Sequence, residues 1–258
     1  MKRSRCCPAA AVLSLVLLAR VADSQTNAIR PGDAAQMQAQ LARDEKILQD
    51  WANLSRYRDA NAQLSVPGEA EKRVVFMGDS ITDAWGRSHG VFFPGKPYIN
   101  RGISGQTTPQ MLVRFRPDVI ALKPKAVVIL AGTNDIAGNT GPESLEEIEG
   151  NLQSMAELAR VNGIRVVLSS VMPVCDYIKP QTVKRPPEQI VALNAWIRTY
   201  CAQNHLTYLD YYSALIDDHA MFRKELTYDG LHPNDAGYAV MSPLAAQAIE
   251  AVLAGENP

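Results

Sequence analysis

The chain has 258 residues, 47% of them hydrophobic and 21% charged, a balance that excludes a disordered polymer and suits one globular domain with a sizeable core. Its formal net charge of -1, with no basic block in the body, excludes the electrostatic footprint of a nucleic-acid binder. Neither a CxxC pair nor a Cys/His cluster offers a structural zinc site.

At the start of the chain, Lys2, Arg3 and Arg5 precede an apolar run from Ala9 to Ala19, and Ala22-Asp23-Ser24 places small residues ahead of Gln25. That order predicts a signal peptide over 1–24 and a secreted or periplasmic mature protein. The run is broken by Arg20 and falls short of the roughly 20 residues of a membrane span, so no stable membrane insertion is expected after removal. Cys6 and Cys7 precede the run and are badly placed for a lipid-modified mature terminus. Cutting after Ser24 removes four basic residues and one acidic one, taking the net charge from -1 to -4. Cys175 and Cys201 then remain, and a disulfide and two buried thiols stay open as alternatives.

Residues 25–68 predict an N-terminal helical extension ahead of a main body over 69–258. Met37, Leu41, Ile47, Leu48, Trp51, Leu54 and Tyr57 are spaced to form an apolar stripe packing on that body, and Ser65-Val66-Pro67-Gly68 marks the boundary. Val74 to Met77 predicts a short strand, and Ala126 to Ala131 a strand buried on both faces. Glu143 to Val161 predicts a helix, acidic early and basic late as the helix dipole favours. Ile164 to Leu168 predicts the next strand, followed by a Pro-rich connection from Pro173 to Pro187. A helix from Glu188 to Asn204, a strand from Leu206 to Leu209 and a helix from Asn234 to Leu253 complete the pattern. This alternation predicts an α/β fold with a mostly parallel sheet covered on both faces.

Ligands of such sheets bind outside the carboxyl ends of the strands. Gly78-Asp79-Ser80, Gly132-Thr133-Asn134-Asp135 and Ser169-Ser170 each follow a predicted strand and therefore converge on one edge. A serine hydroxyl becomes a nucleophile when a base takes its proton, and the base works best when a carboxylate fixes its tautomer. His232 has Asp229 three residues before it, across a turn at Asp229-Gly230 that can fold the carboxylate back onto the ring. Hydrolysis also needs donors aimed at the oxygen that becomes negative. The Asn134 side chain, a backbone N–H at Gly102 or Gly105, and the Ser80 N–H are the candidates.

Four segments together resemble the GDSL or SGNH family of esterases and lipases: Gly78-Asp79-Ser80-Ile81-Thr82, Asn100 to Thr107, Gly132-Thr133-Asn134-Asp135, and Asp229-Gly230-Leu231-His232-Pro233. They stand in the family's order. The resemblance implies Ser80 as nucleophile, His232 as base, Asp229 as its partner, and an oxyanion hole of the Ser80 amide, Gly105 and Asn134. It also implies a three-layer α/β/α sandwich, flavodoxin-like, around a mostly parallel five-stranded sheet, with no cofactor and no metal. Ile103-Ser104-Gly105-Gln106-Thr107-Thr108 and the Asp229/His232 ending resemble the branch that includes platelet-activating factor acetylhydrolase catalytic subunits and bacterial carbohydrate acetyl esterases. Gln106 stands where the family commonly has Asp.

Asp79, Asn100 and Asp135 are candidates for supporting roles, with capping, ordinary turn chemistry or solvation as the alternative. His89, near Trp85 and Arg87 in the connection after Ser80, reads as structural or exposed, with lining the pocket as the alternative. Trp85, Phe92, Phe93, Met172 and Pro173 are candidates for an apolar or sugar-stacking wall, with loop packing as the alternative. The expected activity is hydrolysis of a short acyl ester, acetyl foremost, on a carbohydrate or glycoside. A lipase or lysophospholipase, an acyltransferase using the same acyl-enzyme, and a noncatalytic carbohydrate binder are the competing readings. Neither GxGxxG nor GxxxxGK[ST] follows a predicted strand, which speaks against a nucleotide site.

Overall fold

The computed structural model describes residues 31–255. The expected signal segment 1–24 lies outside them. Two compact units divide at Glu45/Lys46, and the sheet lies wholly in the second. Helix α1, Pro31–Gln49, begins in the first unit. Met37 and Leu41 are exposed on it. Of the other residues of the expected stripe, Leu48, Trp51 and Leu54 are exposed as well, and Tyr57 is half-buried.

In the second unit, α2, Arg58–Ala62, precedes β1, Val74–Gly78, and α3, Ser80–Ala84. Then follow β2, Tyr98–Gly102; α4, Thr108–Asp118; β3, Ala126–Leu130; and α5, Thr133–Ile136. The order continues with α6, Leu145–Val161; β4, Arg165–Ser169; α7, Pro187–Asn204; β5, Thr207–Leu209; α8, Tyr212–Leu215; and α9, Asp235–Ala254. The strands form one five-stranded sheet in the order β2-β1-β3-β4-β5. Every pairing is parallel.

Successive residues of a strand point to opposite faces, and the two cores follow that rule. Val75 and Met77 of β1 join Met111 and Phe115 of α4, Ile148 and Leu152 of α6, and Leu193 of α7. Val74 and Phe76 join Tyr238, Met241 and Ile249 of α9 on the other face. β1 and β3 are buried throughout, which accounts for their unbroken apolar sequences. α9 is long and apolar enough to cross a membrane by length and composition. In the fold its apolar side lies on the sheet.

β2 and α4 carried no clear periodic signal. β2 pairs only with β1, at the sheet edge, and three of its five residues are half-buried, so a polar sequence suffices. α4 begins on a Thr107/Gln110 capping box with a proline in its first turn. Pro117 near its end masks the helical pattern. Residues 50–64 bond directly to the sheet body. Tyr57 donates to the Gly102 carbonyl, and Asn61 donates to Asp118 and accepts from Arg101.

Candidate active site

β1 and β3 are neighbours whose connections leave in opposite directions, which opens a crevice beyond their carboxyl ends. Ser80 is two residues past the end of β1, at the first position of α3. Its N–H has no acceptor within the helix. Asp79 caps α3 by accepting from Ile81 N–H at 2.9 Å. Asn134 sits in α5, directly beyond β3.

His232 comes from the far end of the chain. Its Nε2 lies 2.9 Å from Ser80 Oγ, and its Nδ1 lies 2.8 Å from Asp229 Oδ2. Asp229 Oδ1 accepts from the His232 and Leu231 backbone N–H groups at 2.8 and 3.0 Å. Thr227 Oγ1 donates to the His232 carbonyl and accepts from Gly230 N–H, closing the loop on itself. Gly230 has φ +90°, and a Cβ there would overlap the Cys175 carbonyl oxygen, so only glycine makes this turn. Burial alone would oppose ionisation of Asp229. The hydrogen bonds from the His232 backbone and side chain, and the imidazole's charge, nevertheless hold its carboxyl below the usual range. A hydroxyl bonded to an imidazole whose other nitrogen faces a carboxylate is an arrangement suited to proton transfer.

The two candidate glycines of the second block differ. Gly102 N–H donates to Asn100 Oδ1, and a Cβ at Gly102 would overlap Asp83, so this residue serves the close packing of β2 against α3. Gly105, at φ +81°, is exposed, and a Cβ there would meet only Asn139 Nδ2, at 3.9 Å. Asn134 Nδ2 donates to the Gln106 carbonyl at 3.0 Å and reaches Asp79 Oδ2 at only 3.4 Å. The second of these hydrogens is weakly held, and a developing oxyanion would compete for it effectively. Asn100 Nδ2 donates to the Thr82 and Trp85 carbonyls, tying β2 to α3. Asp135 Oδ1 accepts from the Thr108 N–H and hydroxyl, joining α5 to α4.

A model of the GDSL-like Lipase/Acylhydrolase family matches residues 76–240, which contain every group just described. The chain belongs to this family. A GDSL-like lipase from Bacteroides thetaiotaomicron is 46% identical with a TM-score of 0.74, over 78% of this chain and 98% of that one. The acetylxylan esterase of Xylanibacter ruminicola is 24% identical over 244 residues, 80% of this chain and 48% of that protein. An uncharacterized lipoprotein of Bacillus subtilis is 37% identical over 81 residues, 30% of this chain and 33% of that protein. The matches thus span half or less of these two curated relatives.

Within the GDSL-like fold, the departure at Gln106 has a physical reason. Its Nε2 donates to the Ala52 carbonyl at 2.7 Å while its Oε1 accepts from the fully buried Arg114. A carboxylate could accept from Arg114 but has no hydrogen to give Ala52.

Arg185 is the group that sequence reasoning missed. It is 7% exposed and donates to Thr133 Oγ1 at 3.1 Å, Asn134 Oδ1 at 3.4 Å and Gln181 Oε1 at 3.3 Å. Gln181 in turn donates to the Asp229 carbonyl. Arg185 therefore backs the Asn134 amide and links its loop to that of Asp229. It lies in the Pro-rich connection after β4, where nothing in the local sequence distinguishes it from a surface arginine.

Three carboxyls near the crevice hold protons unusually well. Burial pushes Asp79 up to about 7, with the Asp135 charge adding to the rise and Ile81 N–H and Arg185 opposing it. Burial, then the neighbouring Asp135 carboxyl, raises Glu143 to about 7. Asp135 is raised in the same direction by burial. Asp135 Oδ2 and Glu143 Oε2 are both buried without a hydrogen-bond partner.

Of the two readings of Trp85, Phe92, Phe93, Met172 and Pro173, the structure shows packing and not a wall, and Pro173 is buried too. Trp85, Phe93 and Met172 are buried in the α9-side core, and Phe92 packs against it, because the aromatic rings of this segment cluster around Phe76. His89 is instead the side chain that reaches the site's rim: it pairs with Asp235 and stacks on Tyr228. Cys175 and Cys201 are both free and buried. Burial raises both thiols, Cys201 to about 12.

Proposed function

We propose that this protein is an exported serine esterase that removes short acyl groups, acetyl foremost, from a carbohydrate or glycoside. The observation that carries this reading is the continuous chain of contacts from the Ser80 hydroxyl through both nitrogens of His232 to Asp229. His232 Nε2 takes the Ser80 proton as Oγ attacks the ester carbonyl. The oxyanion receives hydrogen bonds from the Ser80 and Gly105 N–H groups and Asn134 Nδ2. When the intermediate collapses, the bond to the alcohol breaks and His232 gives the leaving oxygen its proton. Water, deprotonated by the same imidazole, attacks the acyl-serine; the acyl carbon–Oγ bond then breaks, His232 returns the proton to Ser80 Oγ, and the acid leaves. Asp229 holds the tautomer with hydrogen on Nδ1 and offsets the charge that His232 gains.

Asp79, Asn100 and Asp135 support the site in this reading by fixing the loops that present Ser80, Gly105 and Asn134. The acetylxylan esterase relative supports acetyl as the acyl group and a sugar as the alcohol. The basic, apolar and small-residue order of residues 1–24 supports export.

The test is a side-by-side rate screen of the wild type and Ser80→Ala. Substrates are acetylated xylan, pectin-type fragments, acetylated monosaccharides, short p-nitrophenyl esters and phospholipids. Turnover of short esters and acetylated sugars by the wild type alone is expected. Turnover retained by Ser80→Ala would remove Ser80 from its role, and a strong preference for lysophospholipids would overturn the substrate class.

A further inference from the structure

A row of three rings leads away from His232. The Tyr228 ring stacks on the His232 ring at 5.6 Å between centroids and 8° between planes, and the His89 ring stacks on Tyr228 at 4.8 Å and 27°. Tyr228 is 44% exposed, the exposed aromatic beside the Ser80–His232 pair. Beyond the row lies a cleft of about 490 Å³ lined by His89, Val91, Asp235 and Ser242 among others. That volume falls within the roughly 300–1,000 Å³ of small-molecule sites.

The cleft is firmly built. Asp235 Oδ1 accepts from Gly90 N–H at 2.8 Å and faces His89 Nδ1 at 3.3 Å, joining the loop after α3 to the start of α9. Tyr238 beneath it donates to the Ile81 carbonyl and packs at a tilt against Trp85, with ring centroids 5.2 Å apart. The loop is therefore held to both the nucleophile helix and the aromatic core. The Asp235 side chain is 79% exposed, so its carboxylate can accept hydrogen bonds from a ligand.

We propose that this cleft, reached across Tyr228, is a subsite for an acetylated oligosaccharide on the alcohol side of the scissile ester. The inference rests on the esterase reading above. His232 must protonate the leaving alcohol, so the alcohol side of the substrate lies against His232 and continues toward Tyr228. An exposed aromatic face, a carboxylate and a serine hydroxyl are the chemistry that recognises a chain of sugar rings and hydroxyls. The cleft begins two ring spacings from His232, so a chain of sugars engages it and a single acetylated sugar held at Ser80 does not.

The test compares kcat/KM on acetylated xylotetraose, acetylated xylose and p-nitrophenyl acetate for the wild type, Tyr228→Ala, Asp235→Ala and Ser242→Trp, the last of which fills the cleft. In each variant the ratio of the tetraose value to the p-nitrophenyl acetate value is expected to fall at least tenfold, mainly through KM, with the xylose ratio falling far less. Equal losses on all three substrates, or no change in the ratio, would overturn the subsite while leaving the esterase intact. A wild type that cleaves p-nitrophenyl acetate and no acetylated oligosaccharide would overturn both the subsite and the carbohydrate reading.

Discussion

Asp79→Asn separates two demands that meet beside Ser80. Asp79 is 1% exposed, and its burial, reinforced by Asp135, lifts the carboxyl from an ordinary 3.8 to about 7. Between about pH 4 and 7 the folded protein therefore holds a proton that the unfolded chain has released. Stability falls as the pH rises through that window and levels off above it. From pH 5 to 8 this one group accounts for about 3 kcal/mol. Asparagine keeps an oxygen for Ile81 N–H and never ionises, so the variant lacks this slope. At roughly 2–4 °C per kcal/mol for a chain of this size, its Tm relative to the wild type should climb by roughly 6–12 °C across that range. Scanning calorimetry of both proteins at several pH values gives the difference directly, since other titrating groups are common to the two. A Tm difference that stays constant from pH 5 to 8 would refute the reasoning. The same variant places an NH2 where an oxygen accepts from Asn134 Nδ2, so its esterase kcat should fall even as its stability at high pH improves.

Substitutions at three other positions probe the site. Asp229→Asn should lower kcat by roughly 10²–10⁴-fold with little change in KM, because the amide favours the wrong imidazole tautomer. Since the native carboxyl is held below its ordinary range, it contributes stability at neutral pH that is lost as the pH falls through the folded-state value, and the Tm gap to Asp229→Asn should close in acid. Arg185→Met should lower kcat by roughly 10–100-fold at nearly constant KM, with Arg185→Lys recovering part of the loss; a change confined to KM would place Arg185 against the substrate instead of behind Asn134. Gln106→Asp should cost roughly 1–3 kcal/mol, seen as a lower Tm, because the Ala52 carbonyl loses its donor; an unchanged Tm would show that the pairing with Arg114 compensates.

The buried strands were legible because a strand covered on both faces must be apolar throughout, and β1 and β3 are. β2 was not, because it carries Asn100 and the buried Arg101, whose polar groups are satisfied by the Thr82 and Trp85 carbonyls and by Asn61, partners distant in sequence. Wall and loop packing stayed open as readings of the aromatic segment for a related reason. Residue type told that Trp85 and Phe93 are large and apolar but not which side of the loop faces the core, and Phe76 draws them inward.

Ser80, Asn134 and the Asp229/His232 pair were readable because each sits in a short segment whose chemistry is local: a hydroxyl after a strand, an amide after a strand, a carboxylate one turn from an imidazole. The sequence by itself therefore determined the family and the groups that meet in the crevice. Only the tertiary structure decided that Gly105 is open while Gly102 is packed, that Arg185 lies behind Asn134, and that His89 continues a stack from His232. The contacts of Arg185 with α5 and of His89 with Asp235 and Tyr228 join residues about 50 to 150 positions apart. Hydrogen bonds and ring stacking of that range depend on how the chain returns to the sheet edge, and no local pattern records it.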